Sequence, residues 1–305
     1  MHTIRSLAFA TAVSTYGLIV LGTVVRITES GMGCGDHWPM CNGRLIPSLS
    51  DVATLIEWTH RLVALVVSGL IVALALAAFR YRSTPGVAGR GGPLRPALLA
   101  VLLLAVQVML GAVTVSLELP PATVILHLSA AMALLATVMV AGFRSGTPLP
   151  GLAPRDGGER TALIATTLGG AVILLGGVTA SLGAGPSCQG FPLCSGQLWP
   201  TGESGLPAVH WVHRLVAYAL FAYLAAVTFG VNRSRPHPIP ALTRLTFALA
   251  AAQVAVAAAM VLLARPTVWR ALHAAVGTAV WAALVWWTLV AWSLARPAVP
   301  TQPAA

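Results

Sequence analysis

The chain has 305 residues, 57% of them hydrophobic and only 9% charged, with a formal charge of +10. A soluble domain carries about 25% charged residues, so this sequence lacks the polar surface to live in water. The positive charge does not point to nucleic acid either, because no basic face with interleaved aromatics is present.

In chain order, uncharged stretches run over 6–25, 62–79, 96–117, 119–143, 161–182, 215–232, 245–264 and 271–295. Each is long enough, or nearly so, to cross a hydrocarbon layer of about 30 Å as a helix. The expected fold is an all-α polytopic membrane protein with eight transmembrane helices. The first stretch lacks a clear cleavage site and is one among many alike, so it reads as a span rather than a leader. All eighteen basic residues are arginines. Eight spans place both termini and the loops after spans 2, 4 and 6 on one side. That side holds Arg5, Arg80, Arg82, Arg90, Arg95, Arg144, Arg155, Arg160, Arg233, Arg235, Arg244 and Arg296. Such an excess marks the cytoplasmic face. Arg26, Arg61, Arg214 and Arg270 stand at helix mouths instead.

The two long loops on the other face, 29–53 and 183–207, hold all four cysteines: Cys34 and Cys41, then Cys188 and Cys194. Pairs in an oxidising compartment suit disulfides, one within each loop. CGDHWPMC also contains His37, which keeps zinc as an alternative. Structural zinc normally takes four ligands, and CQGFPLC offers two.

The chain is written twice. LGTVVRITESGMGCGDHWPMC answers LGGVTASLGAGPSCQGFPLC, EWTHRLVA answers HWVHRLVA, and AVQVMLGAVTVSLELP answers AAQVAVAAAMVLLARP. An internal repeat of this length is read before any local motif. It divides the chain into four-helix units 1–145 and 161–305, joined by a polar linker over 146–160. An even number of spans per unit implies a pseudo-twofold axis along the membrane normal.

His60, His127, His213 and His273 fall early in spans 2, 4, 6 and 8. A histidine at lipid depth is costly unless it has a partner, and is a functional candidate by default. Four at duplicated positions call for a common ligand. Two protein ligands per unit are too few for zinc, whereas haem iron takes four nitrogens from porphyrin and two from axial histidines. A four-helix bundle is a common host for such a group. Glu57 stands one turn before His60, and its counterpart is His210, so chemistry is expected in the first unit and a resident haem in the second. Arg61 and Arg214 could meet haem propionates or loop carboxylates. Gln107 and Gln253, at matched places in spans 3 and 7, need partners inside hydrocarbon and either line the cofactor site or brace helices. Arg26 could pair with Glu29 or lie beside Arg61.

Together, TESGMGCGDHWPMCNG, EWTHR, ILHLS, SCQGFPLCSG, HWVHR and ALHAAVG resemble the haem A synthase (CtaA/Cox15) family, in its bacterial type with two cysteine pairs. The resemblance covers nearly the whole chain. It implies oxidation of the C8 methyl of haem O to a formyl group by two successive hydroxylations, giving haem A for terminal oxidases. It implies His60 and His127 as axial ligands of the substrate haem, His213 and His273 as ligands of a haem b, and Glu57 as the catalytic carboxylate. The implied partners are haem O, haem O synthase, terminal oxidase assembly factors, an electron acceptor and membrane lipid, in a bacterial plasma membrane with the termini cytoplasmic and the cysteine loops outside. Two other classes compete. A bis-histidine b-type cytochrome would carry the same histidines without Glu57 chemistry. A repeat-built transporter would want a broken helix at the midplane, whereas the glycines here cluster near helix ends.

Overall fold

The computed structural model describes residues 1–36, 38–48, 50–147, 158–200, 204–231, 235 and 237–294. Among them are eight helices long and apolar enough to cross a membrane. They are α1 (His2–Ile27), α2 (Val52–Arg80), α3 (Leu94–Ser116), α4 (Pro121–Arg144), α5 (Gly158–Ser181), α6 (Leu206–Ala226), α7 (Ile239–Leu262) and α8 (Thr267–Leu294). The all-α, eight-span expectation therefore holds, and this is a multi-pass membrane protein.

Several helices begin earlier than their apolar runs. α2 starts ten residues before position 62 because the Asp51 carboxylate accepts the Thr54 N–H at 2.7 Å and caps the helix. An N-cap satisfies backbone donors that the first turn leaves free. At 1.5 Å per residue, the 29 residues of α2 extend about 44 Å, well beyond a hydrocarbon layer of about 30 Å. Glu57 and His60 are consequently one and a half to two turns inside α2 rather than at its mouth. Prolines at the first or second helical position open α4, α6 and α7, where a missing N–H costs no helical bond.

In the first half α1 packs on α2 and α4, and α3 packs on α2 and α4; in the second α5 packs on α6 and α8, and α7 on α8 and α6. Each half has its own core. Ile4, Ile71, Leu74, Ala97 and Val138 fill the first. Ala165, Leu224, Leu284 and Trp287 fill the second. Ile19, Met132, Leu135, Ile173 and Trp281 close the seam between them. The outward faces of α2 and α3 are apolar and exposed, including Leu65, Val66, Leu102 and Met109. Patches of that size on a monomer mark a lipid or protein contact, and here their hydropathy and span length assign lipid.

Local features recur along the repeat. Cys41 bridges Arg44, and Cys194 bridges Gln197. The α3–α4 turn places Glu118 and Leu119 at positive φ, and the α7–α8 turn does the same with Ala264 and Arg265. In both turns the last N–H reaches back five residues, Leu119 to Thr114 and Arg265 to Met260, which closes the helix in the manner of a Schellman motif. Most of the linker, 148–157, lies outside the described residues, as do Arg155, Arg233 and Arg296 of the arginine-rich face.

Candidate functional site

The four histidines lie eight, six, seven and six residues after the first residue of α2, α4, α6 and α8. At 1.5 Å per residue that is a depth of about 9–12 Å from the helix starts. The main cores use residues further along the same helices, such as Val67–Ala78 on α2 and Leu134–Ala141 on α4. The histidines thus form a layer between the cysteine loops and the packed core.

Glycines make room for the rings. A Cβ at Gly22 on α1 would lie 3.1 Å from His60 Nε2, and one at the matching Gly176 on α5 would lie 3.0 Å from His213 Cε1. His127 meets Gly111 on α3 in the same way, with Cε1 3.4 Å from the position a Cβ would take. A Cβ at Gly22 or Gly176 would be tighter than an ordinary contact and would ask the imidazole to give by a few tenths of an ångström, whereas one at Gly111 would make ordinary contact.

The polar atoms of this layer are incompletely satisfied. His127 Nδ1, Gln107 Oε1 and Gln253 Oε1 are buried without a hydrogen-bond partner. Buried polar groups are bonded in the great majority of cases, and each orphan wants an explanation. His213 Nδ1 lies 3.1 Å from the Val172 carbonyl. A carbonyl only accepts, so Nδ1 carries the proton and Nε2 keeps its lone pair. Gln253 donates its amide to the His273 carbonyl at 3.0 Å, and the same nitrogen is 3.1 Å from His273 Nδ1. His60 lies against Gly22 of α1, His127 against Gly111 of α3, His213 against Val172 of α5 and His273 against Gln253 of α7, so each half turns two rings into its own bundle.

Above the layer, the loops are tied down by the residues one turn earlier and one residue later. Glu57 is buried. Its Oε2 accepts the Cys34 N–H at 2.8 Å, and its Oε1 accepts Arg61 Nη2 at 2.5 Å and Nε at 3.2 Å. Arg61 also donates to the Met40 carbonyl at 2.9 Å. In the second half, His210 Nδ1 is 3.2 Å from the Ala184 carbonyl and Arg214 Nε donates to His210 Nε2 at 3.3 Å. Arg214 reaches the carbonyls of Cys188, Gly190 and Leu193 at 2.6, 2.8 and 3.0 Å. Disulfides Cys34–Cys41 and Cys188–Cys194 close the two loops. With every cysteine so paired, the zinc alternative falls. His37 lies outside the described residues.

Arg61 thus divides its guanidinium between Glu57 and loop carbonyls, and Arg214 between His210 and loop carbonyls, and among the described residues neither meets the loop carboxylates expected from the sequence. Arg26 pairs with neither Glu29 nor Arg61; it donates to the Ala180 carbonyl of α5 at 2.6 Å, across the seam. The sequence reading also passed over Gly22, Gly176, Arg265 and Arg270. Gly22 and Gly176 were readable as matched members of the repeat, standing in LGTVV and LGGVT. Nothing in the sequence placed them opposite histidines.

An eight-span helix bundle with four half-buried histidines at matched depth, glycines facing their rings and buried polar atoms without partners defines a class: an integral membrane protein with a polar layer set inside each half. Residues 5–285 match the COX15-CtaA family, described as cytochrome oxidase assembly protein, and the chain belongs to that family. A haem A synthase of Halalkalibacterium halodurans is 32% identical over 248 residues, 78% of this chain and 79% of that protein. One from Exiguobacterium sibiricum is 33% identical over 235 residues, 74% of each. A protohaem IX farnesyltransferase of Thermus thermophilus is 31% identical over 301 residues, which cover 91% of this chain but 47% of that longer protein.

Proposed function

We propose that this chain is a haem A synthase, a membrane oxidoreductase that converts the C8 methyl of haem O to a formyl group through two hydroxylations and loss of water. Family membership and the similarity to named haem A synthases support the reaction. The observation that carries the site is the histidine layer, with two rings in each half at matched depth.

The two halves, 1–145 and 161–305 about a 146–160 linker, are four-helix bundles related by a pseudo-twofold axis. The first takes haem O as substrate between His60 and His127. The second holds haem b between His213 and His273. The residues present fit such a group. Orphaned His127 Nδ1 and the glutamine oxygens lie where a cofactor edge or its water would satisfy them, and the Val172 carbonyl fixes the His213 tautomer that leaves Nε2 for iron. His273 meets the same requirement once its ring turns away from the Gln253 amide. A bound haem b supplies one-electron redox capacity beside the substrate.

Glu57 is the group with the chemistry. Removing electrons from a porphyrin-bound methyl builds positive charge at a carbon with no acidic proton. A carboxylate held in place stabilises that charge without reorganising. The Cys34 N–H and Arg61 hold it, one turn from His60. Gln107 and Gln253 line the two sites. The upstream partner is a protohaem farnesyltransferase, whose product is haem O, and the similarity to a longer protein of that name supports the pairing. Downstream stand terminal oxidase assembly factors, and a separate electron acceptor takes the electrons removed from the methyl.

The arginine asymmetry supports an orientation with both termini and the 146–160 linker in the bacterial cytoplasm and the disulfide loops outside. Thr147 is exposed at the end of the first half. Thr147→Cys should react with an impermeant maleimide only after cells are permeabilised, and reaction in intact cells would reverse the orientation.

The function itself is tested by the pigment of the purified protein. Haem b together with haem O or haem A, and conversion of added haem O to haem A, are expected. Haem b alone with no conversion would favour the b-type cytochrome instead.

A further inference from the structure

Six arginines lie on the loop side of the molecule, where the positive-inside trend disfavours them: Arg26, Arg44, Arg61, Arg214, Arg265 and Arg270. Arg61 and Arg214 are committed to the disulfide loops, and Arg44 is exposed on the first loop. The other three converge at the seam. Arg26, at the end of α1, donates to the Ala180 carbonyl at 2.6 Å. Arg270, in the first turn of α8, reaches the Ile27 carbonyl at 3.4 Å. Arg265, in the α7–α8 turn, lays its guanidinium over Gly185, where a Cβ would lie 2.6 Å from Nη1. Ile27 adjoins Arg26, and Arg265 stands five residues before Arg270 in the turn that opens α8. Gly185 follows Ala184, whose carbonyl meets His210 Nδ1 at 3.2 Å, and His210 stands one turn before His213 on α6, so the cluster lies beside the histidine layer of the second half.

Among the described residues no carboxylate bonds or pairs with any of these three side chains. They are half-buried. Gathering three cations without an anion is electrostatically unfavourable. Packing does not require it. The counterparts in the repeat are Ala180 for Arg26, Leu119 for Arg265 and Val124 for Arg270. Leu119 packs on Gly31 just as Arg265 packs on Gly185, so an apolar side chain fills that turn equally well. The cluster therefore breaks the repeat at one place, beside the histidine layer of one half.

We propose that Arg26, Arg265 and Arg270 form the carboxylate-binding site for the propionates of the haem held by the second half. This rests on the reading that His213 and His273 hold a haem. Arginine suits the task, since its planar fork binds a carboxylate through two parallel N–H bonds and is always charged. Because the site joins α1 to the α7–α8 turn, the propionates also bridge the two halves.

The test uses full-length protein produced without haem and titrated with iron protoporphyrin IX and, separately, with its dimethyl ester. The two have the same ring and iron, but the ester has no carboxylates. Wild type is expected to bind the free acid at least tenfold more tightly than the ester. Arg26→Gln, Arg265→Gln and Arg270→Gln combined should bind both alike, and Arg265→Lys should keep part of the preference. Arg244→Gln, at the far end of α7, should leave it unchanged. In the haem-loaded protein the triple variant should also show a more negative midpoint potential, since it lacks three positive charges that favour the reduced iron. A triple variant that keeps the wild-type preference and potential would overturn the proposal. So would wild type that binds acid and ester equally, and in that case the haem reading would stand. Wild type that binds neither would remove both.

Discussion

The two disulfide loops solve one problem with opposite chemistry. In each, an arginine four residues after a buried polar side chain holds the loop by its carbonyls, Arg61 through Met40 and Arg214 through the matching Leu193. The buried partner differs. Glu57 accepts a backbone N–H from Cys34. His210 can bond the Ala184 carbonyl only as a donor, which leaves Nε2 to accept from Arg214. That is the neutral tautomer. The first loop therefore rests on a guanidinium–carboxylate pair and the second on a guanidinium beside a neutral ring. A duplicated scaffold can keep the mechanical function of a position in both copies while reserving the charge for one. The charge is kept in the half proposed above to hold the substrate.

The largest effects should come from the histidines. His213→Ala and His273→Ala are each expected to abolish haem b retention while leaving the first site less affected. His60→Ala and His127→Ala should instead remove bound haem O or haem A. Pigment quantified from each variant decides this, and an unchanged pigment ratio in all four would break the division of labour between the halves.

Next comes the charge itself. Glu57→Gln preserves size and can still accept the Cys34 N–H. If the carboxylate acts on charge present only during reaction, haem content should survive and conversion should fall by about 10²–10³, equivalent to about 3–4 kcal/mol. His210→Gln should lower conversion far less. Equal losses from the two substitutions would mean that both residues only fasten loops.

Smaller effects are expected from the loop closures. Disulfides across sequence separations of 7 and 6 residues constrain short loops, worth about 2–2.5 kcal/mol each in the chain-entropy account. Cys34→Ser with Cys41→Ser, and Cys188→Ser with Cys194→Ser, should lower Tm by similar amounts. Only the first pair should also lower conversion at full haem occupancy, because Cys34 positions Glu57.

The smallest effect is expected at Asp51. Its carboxyl lies below the usual carboxylate range because the backbone N–H and then the side chain of Thr54 bond its charged form. A depressed folded value stabilises above the ordinary carboxylate pKa, about 3.9, and the contribution disappears as pH falls through the folded value. Amide protection factors over 52–55, corrected for the intrinsic exchange rate, should therefore fall in acid and in Asp51→Ala at neutral pH. No difference between wild type and variant at neutral pH would remove the cap from the account of why α2 begins so early.

Much of this was legible in the sequence. Eight apolar runs fix eight spans, because no other backbone arrangement of such a chain satisfies its hydrogen bonds in lipid. The Trp-x-His-Arg repeat, the matched glutamines and the paired cysteines fix which positions correspond, since duplication is a property of the string itself. The recurrence of two histidines per unit is likewise a property of the string, and the haem proposal rests on it. Other features depended on how helices meet. That Gly22 and Gly176 clear space for imidazoles, and that Glu57 reaches Cys34 rather than solvent, follows from packing between segments far apart in the chain. Arginine looks the same in sequence whether it greets a headgroup, a loop carbonyl or a ligand. Only the fold shows Arg61 and Arg214 already occupied, and Arg26, Arg265 and Arg270 gathered at the seam, because a long side chain finds its partner in space and not along the chain.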